Sequence, residues 1–337
     1  MSTARLTATI GQRMIIVASL WVAASLVLAI GTFWWYWLQA SQDGGLASFR
    51  WLLLLPAAGF ATTSFALRTL RWHGFLAAAG AHPPFLTSLR TQLIGFSLTM
   101  TPGKVGEVYK CYLIERRTGV PTARTAPIVL FEKLMDAVAF AGLALVAAAL
   151  LPELEDSVTN AARTLIVAGV LFGLIAILAQ ALRPEMVSSL LLRWVGRSRI
   201  GRRITAQAAL LLAGSLDVLR PKTLAKAITL GVIARTCDGL ALAWGAFALG
   251  IDLAPIAGIF VLNSSGTVGG LSMLPGGIGV VEFTMSFLLT TLGATPAAAL
   301  ACAMTARLLT FWVWVAVGLY LLVTGEELRM GSPQQAT

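Results

Sequence analysis

Two short segments carry the chemistry available to this chain. Thr101–Lys110 reads TPGKVGEVYK and sets Lys104, Glu107 and Lys110 around Pro102, Gly103 and Gly106. Pro275–Glu282 reads PGGIGVVE and repeats the proline, a set of glycines (Gly276, Gly277, Gly279) and a closing glutamate. Both lie among long apolar runs. Neither crosses hydrocarbon as an ordinary helix, because the proline interrupts the backbone and each charge costs about 2.5–3.5 kcal/mol at mid-bilayer. Broken backbone at that depth is tolerated only where it is buried in protein or lines a water-filled cavity.

Further charges lie in the apolar segments: Arg68, Arg71, Arg235 and Arg307 as cations, and Glu132, Asp136, Asp238 and Glu282 as carboxylates, with Asn263 adding an amide. Cations together with N–H groups at broken helix ends can hold a phosphate, and glycines let a backbone approach closely. On this reading Arg68, Arg71, Lys104, Glu107, Lys110, Arg235, Asn263, Glu282 and Arg307 bind a substrate. Glu132, Asp136 and Asp238 keep the arginines paired or carry a coupling proton, since a buried acid can titrate near neutral pH. A plainer account stays open, in which Glu107, Glu132 and Asp136 pair with Lys104, Lys110 and Lys133 at a cytoplasmic interface. Arg68 and Arg71, one turn apart, would then snorkel to water.

Enzyme chemistry is not expected. The three cysteines, Cys111, Cys237 and Cys302, are widely spaced and make no metal motif, and two histidines are too few for a metal site. No D-x-D pair faces a donor site, and only the loop Glu153–Asp156 clusters carboxylates. The expectation is no cofactor and no metal.

Composition agrees. The chain is 57% hydrophobic and 12% charged, with a mean hydropathy of +0.81. A soluble domain has about 25% charged residues, so this is an integral membrane protein, helical by its continuous apolar runs. The net charge of +10 does not point to nucleic acid, because the basic residues cluster beside apolar segments, as cytoplasmic loops do.

The whole chain, 1–337, reads as a single all-α polytopic domain of about six full spans plus two broken or re-entrant hairpins. The full spans are Met14–Leu38, Trp51–Ala79, Pro127–Leu151, Asn160–Leu182, Leu224–Leu249 and Pro296–Val323. Phe85–Met100 is short and basic on both flanks, which suits a hairpin entering and leaving on the cytoplasmic face. Ala254 to Gly293 makes the second hairpin, entered from outside. A basic cytoplasmic connection covers 183–222, with Ile204–Leu219 as a lead-in helix, and a disordered tail covers 325–337. Both termini fall in the cytoplasm, and the membrane is the plasma (bacterial inner) membrane.

The two halves correspond beyond the glycine motif. Arg68-Thr69 matches Arg235-Thr236, each in a helix ending at a glycine (Gly80, Gly250) followed by a proline. Glu132 lies 25 residues after Glu107, and Arg307 lies 25 after Glu282. Repeat 1 covers about 51–151 and repeat 2 about 224–323, in opposite orientations. Inverted repeats with paired discontinuous segments suit alternating access.

At Pro102–Glu107, Glu132–Asp136, Pro275–Glu282 and Arg307 the sequence resembles the flippase-like transmembrane domain of lysylphosphatidylglycerol synthases. The group includes stand-alone members linked to dolichol- or polyprenol-based glycosylation, and the resemblance covers roughly 14–323. It implies movement of an anionic lipid, or of a polyprenyl-phosphate-type head group, between leaflets. It also implies a membrane lipid as ligand and a glycosyltransferase or lipid synthase as partner. The chain stops soon after its last span, so a stand-alone member without aminoacyl transfer is expected. Gly277 stands where a counterpart of Lys104 would fall, so the two half-sites differ chemically. A lipid-modifying enzyme (phosphatase or glycosyltransferase) and a small-solute secondary transporter are the alternatives; only a lipid transporter needs a lateral opening to the bilayer.

Overall fold

The computed structural model describes residues 50–101, 106–151 and 210–325 apart from Leu212 and Met273, with Val27, Ile30, Gly31, Trp34, Leu38, Asn160 and Val167 as isolated positions. The expected first and fourth spans, most of the basic connection, the acidic loop, the tail, and Pro102, Gly103, Lys104 and Val105 lie outside the described residues.

Regular structure among the described residues is helical. We number the helices α1 (Leu54–Ala78), α2 (Phe85–Ser97), α3 (Tyr109–Thr118), α4 (Thr122–Ala149), α5 (Pro221–Ala248), α6 (Pro255–Leu271), α7 (Val280–Thr291), α8 (Pro296–Arg307) and α9 (Val313–Thr324). Trp51–Ala78, Pro221–Ala248 and Pro296–Thr324 are long and apolar enough to cross a membrane. A 28-residue helix is about 42 Å long at the 1.5 Å rise per residue, against a hydrocarbon core of about 30 Å. Helix α4 has the same length, but Glu132, Lys133 and Asp136 occupy its middle.

Helices α2 and α7 are short, at 13 and 12 residues. They reach only about 20 and 18 Å, too little to cross. Local sequence ends each of them. Helix α2 runs into a 3-10 turn at Leu98–Met100. Thr101 is then extended (φ −75°, ψ 145°), as the residue before a proline prefers. Its hydroxyl donates to the Leu98 carbonyl and accepts from the Gly106 N–H at 2.9 Å, tying together the two sides of the P-G-K-V segment. Helix α7 starts at Gly279 (φ +81°), whose N–H donates to Glu282 Oε2 at 2.8 Å. The last span is not a uniform α-helix. A π turn at Leu308–Trp312 follows Arg307 directly, as such turns often do at functional sites, and the guanidinium sits 4.1 Å from the Phe311 ring centroid.

Helices α1 and α5 pack together and run antiparallel, the Arg50 N–H at the start of one donating to the Ala248 carbonyl at the end of the other. Their buried positions include small residues: Ala57, Ala61 and Ser64 in the first half of α1, and Ala227, Gly231 and Ala234 on α5. Small residues allow the close backbone approach that holds membrane helices together. Helix α6 packs on α4 and α5, and α2 packs on α9. The two broken tips also meet, Met100 lying against Gly276.

The α2–α9 contact depends on Gly318. A β-carbon there would collide with the Leu93 carbonyl and come within 3.0 Å of Ser97 Cβ. Gly318→Val is therefore expected to destabilise the protein by about 1–3 kcal/mol, the usual cost of overpacking. Gly142→Ala, with open space around it, gains helix propensity and serves as the control. Melting curves of the detergent-purified variants check this; equal transitions would mean that the helices do not approach closely at Gly318.

Candidate functional site

Three buried charge clusters bring the predicted residues together. The first is centred on Asp136 of α4. Its Oδ1 accepts from Arg71 Nη2 of α1 and its Oδ2 from Arg235 Nη2 of α5, both at 2.7 Å. Arg235 Nη1 also donates to Asp238 Oδ2 at 2.9 Å, one turn along the same helix. One carboxylate thus bridges two arginines from different helices. Gly231 makes room for this, since a β-carbon there would lie 2.8 Å from Arg71 Nη1. The Arg235 guanidinium also faces the Phe140 ring at 4.2 Å.

Arg68 sits one turn before Arg71 and is 6% exposed. Its Nε and Nη2 have no hydrogen-bond partner. Its guanidinium lies 5.4 and 5.2 Å from the Phe65 and Phe96 ring centroids.

The second cluster joins α2, α3 and α4. Lys110 donates to Glu132 Oε2 at 2.5 Å and Gln92 Oε1 at 2.9 Å, with its ammonium 4.0 Å from the Trp72 ring centroid. Glu107 Oε1 accepts from Thr99 Oγ1 and Lys133 Nζ, both at 2.8 Å. The third cluster holds the second tip: Arg307 donates through Nε to Glu282 Oε1 at 2.7 Å and through Nη2 to the Gly276 carbonyl at 2.8 Å.

Part of the expected pattern changes here. Arg68 and Arg71 do not snorkel; both are buried, because α5 and Asp136 pack over that face of α1. Glu132 pairs with Lys110 inside the protein, whereas Glu107 is buried but the side chain of its partner Lys133 is 36% exposed. Asp136 pairs with arginines from two other helices and not with a lysine. Asn263 joins none of the clusters; its Nδ2 donates to the Ile259 carbonyl and its Oδ1 is buried without a partner. Lys104 and Gly103 lie outside the described residues. Gly106 packs against Leu98 and Thr101, Gly276 against Met100 and Phe311, and Gly277 against Val281, while Gly279 faces open space.

Sequence reasoning did not single out Gln92, Thr99, Trp72, Phe140 or Gly231 as parts of the site. Gln92 and Thr99 are polar residues in an apolar limb, a signal that could have found them. The other three carry no signal of their own.

Lys110 and Glu132 are 2% and 3% exposed. Removing one member of a buried pair strands the other and costs about 3–5 kcal/mol. Lys110→Met is expected to lower stability by that amount, and Lys110→Met with Glu132→Gln to recover much of it. A double-mutant cycle on melting curves measures the coupling; additive effects would show that the pair does not form.

Two comparisons bear on what such clusters serve. The family model of the lysylphosphatidylglycerol synthase transmembrane region matches residues 21–318. A UPF0104 membrane protein of Methanocaldococcus jannaschii is 23% identical over 241 residues, which is 71% of this chain and 98% of that protein.

Proposed function

The chain belongs to the lysylphosphatidylglycerol synthase transmembrane-region family, and from that premise we propose that it moves an anionic or polyprenyl-phosphate-linked lipid head group between leaflets by alternating access. It is a membrane protein of a lipid-related family. The observation that carries the proposal is where the central cluster sits. Asp136 and Arg235 lie at the midpoints of the 28-residue helices α4 and α5, the depth at which transporters place substrate sites. Intramembrane ions facing a protein interior mark substrate or ion pathways.

The packing supports the inverted-repeat reading, with repeat 1 over about 51–151 and repeat 2 over about 224–323. Helix α2 of the first half packs on α9 of the second, and α6 of the second packs on α4 of the first. This is the exchange expected of two halves around a shared axis. Short α2 and α7 with their irregular tips suit hairpins that do not cross. The basic connection and both termini then face the cytoplasm of a bacterial inner membrane. A partner glycosyltransferase or lipid synthase would make the head group, and no catalytic step is assigned to this chain.

The test is reconstitution of the purified protein in liposomes containing a trace of head-group-labelled phosphatidylglycerol. A membrane-impermeant quencher is expected to reach the inner-leaflet label only in vesicles that carry the protein. Equal protection with and without protein, for phosphatidylglycerol and for a labelled polyprenyl phosphate, would remove the proposal.

A further inference from the structure

The three clusters differ in one respect that geometry alone does not reveal. Lys110 and Lys133 balance Glu107 and Glu132, and Arg307 balances Glu282. The central cluster sets three cations, Arg68, Arg71 and Arg235, against two carboxylates, Asp136 and Asp238. Arg68 lies within the field of Asp136 and Asp238 as well as of Arg71 and Arg235. One positive charge is therefore left over in a buried site. The spacing R-T-L-R at 68–71 matches R-T-C-D at 235–238, so repeat 1 has Arg71 where repeat 2 has Asp238 and the two halves contribute unequal charge.

The surplus coincides with idle donors. Arg68 Nε and Nη2, Arg71 Nε and Nη1, and Arg235 Nε are all buried without acceptors. A buried charge without a hydrogen-bonded counter-ion is unfavourable, and the Phe65 and Phe96 rings compensate Arg68 only in part. Phe65 is itself held by stacking on Trp314 at 4.5 Å and 11°. The guanidinium is thus fixed in direction while its Nε and Nη2 donate to no acceptor.

We infer that Arg68 is the anion subsite of this cluster and that it takes a singly charged phosphodiester, whether of a glycerophospholipid or of a sugar-linked polyprenyl lipid. The inference rests on the transport reading for its lipid source. Two non-bridging phosphate oxygens match the planar guanidinium fork, and one negative charge neutralises the site. A phosphomonoester carries about −1.5 to −2 charges near neutral pH and overshoots, so bare polyprenyl monophosphates and phosphatidic acid are poorer ligands. Asp136 and Asp238 act as positioning residues that hold Arg71 and Arg235 beside the subsite.

The experiment follows melting temperature in the detergent-purified full chain, wild type and Arg68→Gln, with added dioctanoyl phosphatidylglycerol, a farnesyl phosphosugar diester, dioctanoyl phosphatidic acid or inorganic phosphate. The unliganded variant is expected to melt above wild type, because it loses an uncompensated charge. Wild type should rise saturably with either diester, since a ligand stabilises the state it binds, and Arg68→Gln should need at least tenfold more of either. A response to only one diester identifies the lipid source and still supports the subsite. Equal shifts with phosphatidic acid or inorganic phosphate overturn the diester assignment, and an undiminished diester shift in Arg68→Gln overturns the role of Arg68. Arg68-dependent binding in a protein that moves no lipid in vesicles upholds the subsite and removes the transport reading.

Discussion

Replacing Asp136 with asparagine is expected to abolish the proposed lipid movement and to destabilise the protein by about 3–5 kcal/mol, the range for breaking a buried ion pair by removing one partner. The effect is large because this one carboxylate accepts from two guanidinium groups, Arg71 and Arg235, at 2.7 Å each. Asparagine keeps the volume but only one oxygen, so one arginine loses its acceptor and both lose their counter-charge. The α1–α4 and α4–α5 contacts meet at this residue, so the loss is felt by three helices. Arg71→Met added to Asp136→Asn restores the wild-type net charge of the site. The double variant should regain much of the stability without regaining transport, since α1 is no longer tied to α4. Melting curves and the liposome assay on the same preparations separate the two effects. Wild-type transport in Asp136→Asn would remove the residue from the mechanism.

The second large effect is expected at Arg307 and Glu282. Arg307→Met strands Glu282, which is 8% exposed, and frees the Gly276 carbonyl. Transport should fall below detection in Arg307→Met and in Glu282→Gln while protein is still produced. Arg307→Lys is the informative variant: it keeps the charge, but a single ammonium cannot reproduce the two-nitrogen contact with Glu282 and Gly276. We expect it to keep the fold and lose most transport. Unchanged rates in both neutral variants would make this cluster a structural clasp with no part in lipid movement.

Much of the architecture was legible because bilayer physics is strict. The spans expected at Trp51–Ala79, Leu224–Leu249 and Pro296–Val323 appear at Trp51–Ala78, Pro221–Ala248 and Pro296–Thr324. Length and hydropathy suffice for such elements. The P-G-x-x-G spacing likewise marked the break at Pro275–Gly279, where three glycines take positive φ, whereas Pro127 and single glycines such as Gly231 sit within continuous helices. Pairing between charges was less legible. Lys110 finding Glu132, and Arg71 finding Asp136, depend on which helices cross, and no spacing along one helix encodes that. Gly231 shows the limit most clearly: its importance lies wholly in the guanidinium it leaves room for on another helix. The π turn after Arg307 had no sequence signal at all.

The contact between Met100 and Gly276 has a mechanical consequence. Among the described residues, Thr101 closes on Leu98 and Gly106, and Arg307 on Glu282 and Gly276. Between the halves lies a thioether against a left-handed glycine (φ +60°). That joint is held by dispersion, which weakens smoothly with displacement and has no preferred angle. The two tips can therefore slide at that joint without disturbing either set of tip hydrogen bonds, while the Asp136–Arg235 pair holds α4 to α5.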